Sequence, residues 1–212
     1  MAARRQRAKD RALEARRELY RQLILEGGQR VFAERGYDDA KMEEIAQESG
    51  LSLGTLYSVF AGKAKIFAAI HEAADEEILR RSIACVDEGM TSLDATLAGV
   101  RAWVEYFLEH PDFLRMHLRE GQAWSEPSAG RGRERSRAWK EGLAMLERGV
   151  ARCVADGSFV AGEPGLIART MIAMQQVQLA WWLERDMERA HEDVVEEVLE
   201  QVRRCFATES AS

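Results

Sequence analysis

Apolar residues recur at steps of three and four along almost the whole chain, and nowhere do they alternate one by one. A chain patterned this way folds into helices that bury one stripe each, and a sheet has no sequence from which to form. Punctuation agrees with that reading. There are only 3 prolines in 212 residues. Two of them, Pro111 and Pro164, stand where a new apolar period begins, the favoured first position of a helix. The third falls in the turn-rich stretch 121–133 (GQAWSEPSAGRGR), the longest expected loop. With 46% hydrophobic residues the chain can bury a core, which excludes wholesale disorder. The expected fold is all-α with about nine helices.

Charge divides the chain. The first 65 residues carry 13 Lys/Arg against 10 Asp/Glu, and the rest carry 17 against 26, so basic charge collects at the front of a chain that is acidic overall. Arg4, Arg5, Arg7, Lys9, Arg11, Arg16 and Arg17 read as a mobile basic arm over residues 1–17 that turns helical and is suited to a nucleic-acid backbone. The Arg-rich residues 1–21 lack a following apolar stretch, so no secretory leader is expected. The uncharged run Thr170–Leu183 is too short to span a bilayer. A soluble cytoplasmic protein with no membrane partner is expected. Cys85, Cys153 and Cys205 form no CxxC or Cys/His cluster, and read as small buried hydrophobes without a disulfide or metal site.

The period from Leu19 places Leu23, Ile24, Val31 and Phe32 on one helix face that ends at Arg35-Gly36. Gly27 and Gly28 inside that helix suggest close packing against another helix rather than a break. Asp38 or Asp39 can cap a second helix, whose buried side is Met42, Ile45 and Ala46. Ser52 is positioned to cap a third helix, and Gly62-Lys63 separates it from a fourth. Within residues 41–60 (KMEEIAQESGLSLGTLYSVF) the spacing is that of a helix-turn-helix. Ala46 is small where two helices cross, Gly50 supplies the turn, and Leu56 packs back on the preceding helix. Ser52, Gly54, Thr55 and Ser58 leave the third helix with a small polar outer face that fits a major groove.

Those residues carry a resemblance. Phe32-Ala33-Glu34-Arg35-Gly36-Tyr37, Ile45-Ala46, Gly50-Leu51-Ser52, Gly54-Thr55-Leu56-Tyr57, Phe60 and Lys63 resemble, in order and spacing, the DNA-binding region of the TetR family of bacterial transcriptional regulators. The resemblance implies a DNA-binding domain at 18–78 and a helical ligand-binding and dimerisation domain at 79–212. It implies DNA contacts from Lys41, Ser52, Leu53, Gly54, Thr55, Tyr57, Ser58 and Lys63, with Lys63 on phosphate. Its departures are Ala40, where the family has Ser or Thr, and Ser58 and Val59, where it often has an aromatic residue and a His. The alternative is a helical adaptor of the same fold without specific DNA binding.

In the C-terminal part, Trp103, Phe107, His117, Trp124, Trp139, Met145, Met171 and Gln175 are candidates for a pocket holding a small, mainly apolar effector. The helix after Pro164 is apolar nearly all round, so it needs cover on two sides. Met174, Val177 and Trp181 there, with Val198 and Val202 of the last helix, are the expected interface of a homodimer. No catalytic motif or cofactor-binding motif is found. The expected function is a homodimeric repressor, released from a near-palindromic double-stranded DNA operator by that effector.

Overall fold

The computed structural model describes residues 2–120, 124 and 135–209. These residues form nine helices and no strand: α1 (Ala2–Asp39), α2 (Met42–Glu48), α3 (Leu53–Val59), α4 (Lys63–Ala84), α5 (Ser92–Glu109), α6 (Pro111–Arg119), α7 (Arg137–Ala155), α8 (Pro164–Glu184) and α9 (His191–Phe206). Apart from Trp124, the loop expected at 121–133 lies outside the described residues. Among the described residues no single helix is long and apolar enough to cross a membrane. The chain forms two compact units, Met1–His71 and Glu72–Ser212, divided within α4.

In the first unit the basic stretch at 2–17 is not a separate arm. It is helix throughout, continuous with α1. Its Ala, Arg, Glu and Leu are strong helix formers, and Gln6 Nε2 donates to Asp10 Oδ1 one turn on at 2.8 Å. The helical backbone breaks where expected, at Gly36 with φ 77°. Ile24, Phe32, Ile45, Leu56, Ile66 and Phe67 make the core, with the Phe32 and Phe67 rings edge to face at 5.0 Å. The paired glycines are where α1 is crossed. A Cβ on Gly27 would stand 2.5 Å from Ser49 Oγ, and one on Gly28 would stand 2.8 Å from Ile66 Cγ2. Hydrogen atoms are all these positions can hold.

The second unit is built around α5, which buries Leu93, Leu97, Val100, Val104 and Phe107. α5 packs on α7, α8 and α9. Helix starts follow local chemistry. Thr91 Oγ1 accepts from Asp94 N at 3.1 Å, a Glu163 carboxylate oxygen accepts from Leu166 N at 2.6 Å, and Pro111 and Pro164 occupy first turns. Two expectations are corrected here. Val198 and Val202, expected at a dimer interface, are 1% and 0% exposed within the single chain. They face α5 and α8 together with Val194, Val195 and Leu199, because the opposite side of α9 carries Glu192, Glu196, Glu197 and Glu200. Of the cysteines, only Cys153 is a buried hydrophobe; Cys85 is half-buried and Cys205 exposed.

Candidate nucleic-acid interface and ligand cavity

α2 and α3 meet through a short turn. Gly50 has φ 66°, a left-handed conformation that glycine adopts at little cost, and Leu51 N closes the turn on Ala46 O at 2.9 Å. Ala46 is buried at the crossing, and Leu56 turns the inner side of α3 into the core. Ser52 caps α3 as expected: its Oγ accepts from Thr55 N at 3.1 Å and lies 2.8 Å from Thr55 Oγ1. Ser58 Oγ donates to Thr55 O at 2.6 Å. The outer side presents Ser52, Gly54, Tyr57 and Ser58 exposed, with Leu53 and Thr55 half-exposed. An added Cβ on Gly54 meets no atom closer than 4.0 Å. Nothing in the chain itself therefore requires glycine there.

The cap of α2 differs from expectation. Neither Asp38 nor Asp39 caps it. Lys41 is the N-cap residue, and its backbone N–H donates to Glu44 Oε2 at 3.1 Å. Its side chain is exposed on this face. Ala40, where the family has a hydroxyl residue, is buried.

Lys63 is also corrected. Its ammonium donates to three backbone carbonyls, those of Tyr37 and Asp38 at 2.8 Å and of Ala40 at 3.1 Å. It lies 4.9 Å from the centre of the Tyr37 ring. An ammonium has three N–H donors, so all are committed to the carbonyls left open where α1 ends. Lys63 is a fastener between α4 and that corner, with no donor left for phosphate.

In the second unit a cavity of about 370 Å³ opens between α4, α5, α7 and α8. Of the expected residues, Trp103, Trp139, Met145 and Gln175 line it. Phe107, His117, Trp124 and Met171 do not. Phe107 stacks on Trp124 with centroids 4.8 Å apart, and His117 meets Trp124 edge-on at 4.7 Å. These rings fill the space behind Trp103, and Met171 is fully buried. Sequence reasoning missed the wall made by Ile78, Leu79 and Ile83 of α4 with Val86 just beyond it, and the glycines that make the space. A Cβ on Gly99 or Gly142 would meet nothing within 4 Å. The signal was small residues at helical spacing on facing helices.

The α4 wall is held by charge. Arg80 and Arg81 both donate to Glu77, and their hydrogen bonds hold its carboxyl at about 2. Arg81 also donates to Glu109 of α5 at 2.6 Å. Asp75 accepts from Ser136 Oγ at 2.7 Å, and the same oxygen caps α7 by accepting from Trp139 N at 2.9 Å. Burial pushes the Tyr106 phenol well above its ordinary pKa, so it is a neutral core residue.

The helix-turn-helix geometry coincides with a family signature. The family model for bacterial regulatory proteins of the tetR family matches residues 24–70. Residues 24–70 carry the TetR-family signature. Among curated relatives, the chain is 29% identical over 99 residues to the uncharacterized HTH-type transcriptional regulator YuxN of Bacillus subtilis, covering 47% of this chain and 34% of that protein. It is 30% identical over 112 residues to the HTH-type transcriptional repressor Rv1474c of Mycobacterium tuberculosis, covering 51% and 58%. The chain thus spans about a third of the first relative and somewhat over half of the second. Among solved structures, the TetR family regulator PfmR of Thermus thermophilus superposes with a TM-score of 0.70 at 22% identity, over 85% of this chain and 97% of that one. That likeness shows a shared fold.

Proposed function

We propose that the chain is a homodimeric, DNA-binding transcriptional repressor whose α3 enters the major groove and whose cavity takes a small effector that releases it from DNA. The observation that carries the DNA reading is Gly54. It sits on the exposed side of α3, and the chain alone gives no reason for its lack of a side chain. A close approach to a base edge or phosphate gives one. Lys41, Leu53, Thr55, Tyr57 and Ser58 surround it on or beside that face, and the basic first turns of α1 add charge for the DNA backbone.

Gly54→Leu tests this with a gain and a loss. Helix propensity predicts a stability equal to or higher than that of the parent chain, by up to about 1 kcal/mol. Affinity for DNA from upstream of the chain's own coding sequence falls at least tenfold in a gel shift. Thr55→Ala weakens the same complex by about 1–3 kcal/mol if its hydroxyl reads a base. Parent protein that shifts no duplex in a sequence-specific, salt-sensitive way returns the adaptor reading.

A homodimer is supported by the outer side of α8. Leu166, Val177 and Trp181 are 65%, 68% and 54% exposed, with Met174 half-buried among them. They recur at helical steps on one face, interrupted by the exposed Thr170, so the single chain leaves several large apolar side chains of that face in water. A second copy covers them with the same face, which makes the contact two-fold and the operator a near-palindrome. Val177→Glu with Trp181→Glu is expected to leave the far-UV spectrum unchanged and to halve the sedimenting mass at micromolar concentration. A parent chain that already sediments at 24.0 kDa refutes the dimer. Release would follow from population shift. α4 is one helix from Lys63, the fastener of the first unit, to the residues that wall the cavity. An effector that favours a separation of the two recognition helices unable to fit adjacent major grooves would release the DNA.

A further inference from the structure

We infer that the cavity takes a flat aromatic ring system, which lies between α5 and α7 with one face on the Trp103 indole and the other toward the backbone at Gly142. This rests on the effector-site reading above and names its ligand class.

The shape of the space follows from the register of the two helices. They run antiparallel, since Ser92, where α5 starts, hydrogen-bonds Asp156, where α7 ends. They are in contact at Thr96. Its Oγ1 lies 3.4 Å from Cys153 Sγ, and a Cβ on Gly149 would stand 2.9 Å from it. One turn on, Gly99 comes level with Leu146. A second turn on, about 10.5 Å from the contact at 1.5 Å per residue, Trp103 comes level with Gly142. All four line the cavity. A Cβ on either Gly99 or Gly142 would meet no atom within 4 Å. The space is therefore a slot, shut at Thr96 and open from Gly99 to Trp103.

Glycine is unfavourable inside a helix, so each of these glycines needs a reason. Gly149 has one within the chain, the side chain of Thr96. Gly99 and Gly142 have none there, and both line the slot. The apolar side of α7 changes in the same direction. Val150 and Cys153 are buried, whereas Leu146, Leu143 and Trp139, which line the cavity, are half-buried. An apolar occupant supplies the cover they lack.

A flat ring is one atom thick and meets a wall on each face at about 3.5–4.0 Å. A puckered skeleton is thicker and holds many of its atoms off one wall or the other. A flexible chain is thin enough, but ring-on-ring stacking adds to area burial and a chain gains none of it. Trp103 is the stacking wall. It meets Phe107 tilted at 4.6 Å and Trp124 edge-on at 5.4 Å, so neither ring lies parallel against it. Trp139 has the guanidinium of Arg135 over its ring, 4.9 Å from the centre, so one of its faces is already taken.

The full-length chain can be titrated by calorimetry at neutral pH with 2-naphthol, decahydro-2-naphthol and 1-octanol. Each carries one hydroxyl and their hydrophobicities are comparable, but the first is flat and aromatic, the second puckered and the third a chain. The expected order is 2-naphthol tightest, with the other two each weaker by about two- to tenfold, the scale of one aromatic stack. Gly142→Leu puts a side chain into the slot opposite Trp103 and should weaken 2-naphthol at least tenfold. Gly142→Ala should weaken 2-naphthol more than 1-octanol. Both variants should melt at or above the parent's temperature, because a helix interior favours either residue over glycine, whereas Gly149→Ala should melt lower because Thr96 is in the way. Trp103→Leu should bring 2-naphthol and decahydro-2-naphthol within about twofold of each other. A parent chain that binds decahydro-2-naphthol or 1-octanol as tightly as 2-naphthol, or a preference for 2-naphthol that survives both Trp103→Leu and Gly142→Ala, overturns the inference and leaves the effector site standing. Failure of all three probes to bind overturns both.

Discussion

Val198→Glu unfolds the second unit. Val198 is 1% exposed, held between α9 and the helices α5 and α8. A carboxylate there must either ionise without water or take up a proton, and both are costly. Buried, unpaired charges fall in the tail of mutational effects above about 4 kcal/mol, against a total stability of about 5–15 kcal/mol for an ordinary domain. Far-UV ellipticity at 25 °C should fall and the urea transition should lose its steep midpoint. The Val177/Trp181 double substitution puts two carboxylates on exposed positions one face away, and should keep all its helix. A folded, monomeric Val198→Glu protein would mean that α9 faces a partner, contrary to its packing here.

The second large effect is at Lys63. Lys63→Met keeps the length of the side chain and removes the ammonium. The carbonyls of Tyr37, Asp38 and Ala40 then lose a shared charged donor. Hydrogen bonds to charged groups contribute about 1.5–3 kcal/mol each when sheltered. Lys63 is partly open to solvent and its three bonds share one charge. The expected loss is about 2–3 kcal/mol in all, read as a lower urea midpoint for the first unit. A lysine on phosphate would behave differently. Its removal would leave stability alone and reduce the salt dependence of DNA binding by about one ion. The expected result is lower stability with an unchanged salt slope under conditions where the variant is folded.

The two corrected sites explain what was legible in the sequence. Helix starts and turns are set by chemistry within a few residues, and Ser52, Gly50, Gly36, Pro111 and Pro164 each signal their roles locally. Ala46, Leu56 and the Gly27-Gly28 pair were legible too, because a required small or large side chain marks a crossing. Lys63 was not, since its partners lie over twenty residues upstream and a lysine at a helix start looks the same whether it faces phosphate or carbonyl. The stripe on α9 showed that one side is buried without saying by what. Only the charge on its other side, set beside the exposed apolar side of α8, assigns the two. The cavity was half legible for a related reason. Aromatic residues draw attention, yet Phe107, Trp124 and His117 fill space, while the slot is formed by what Gly99 and Gly142 lack.

The exposed side of α3 has a consequence for how such a protein diversifies. Leu56 holds the helix to its unit, Ser52 starts it, and the bonds of Thr55 and Ser58 stay within the helix. Gly54, Tyr57 and Ser58 brace no other helix through the contacts described. Substitutions at those positions are nearly invisible to folding, so selection can rewrite them one at a time through folded intermediates. A duplicated gene can drift toward a new binding sequence without first acquiring compensating changes in its core. The same independence makes a small library at positions 54, 57 and 58 a practical route to retargeting the protein.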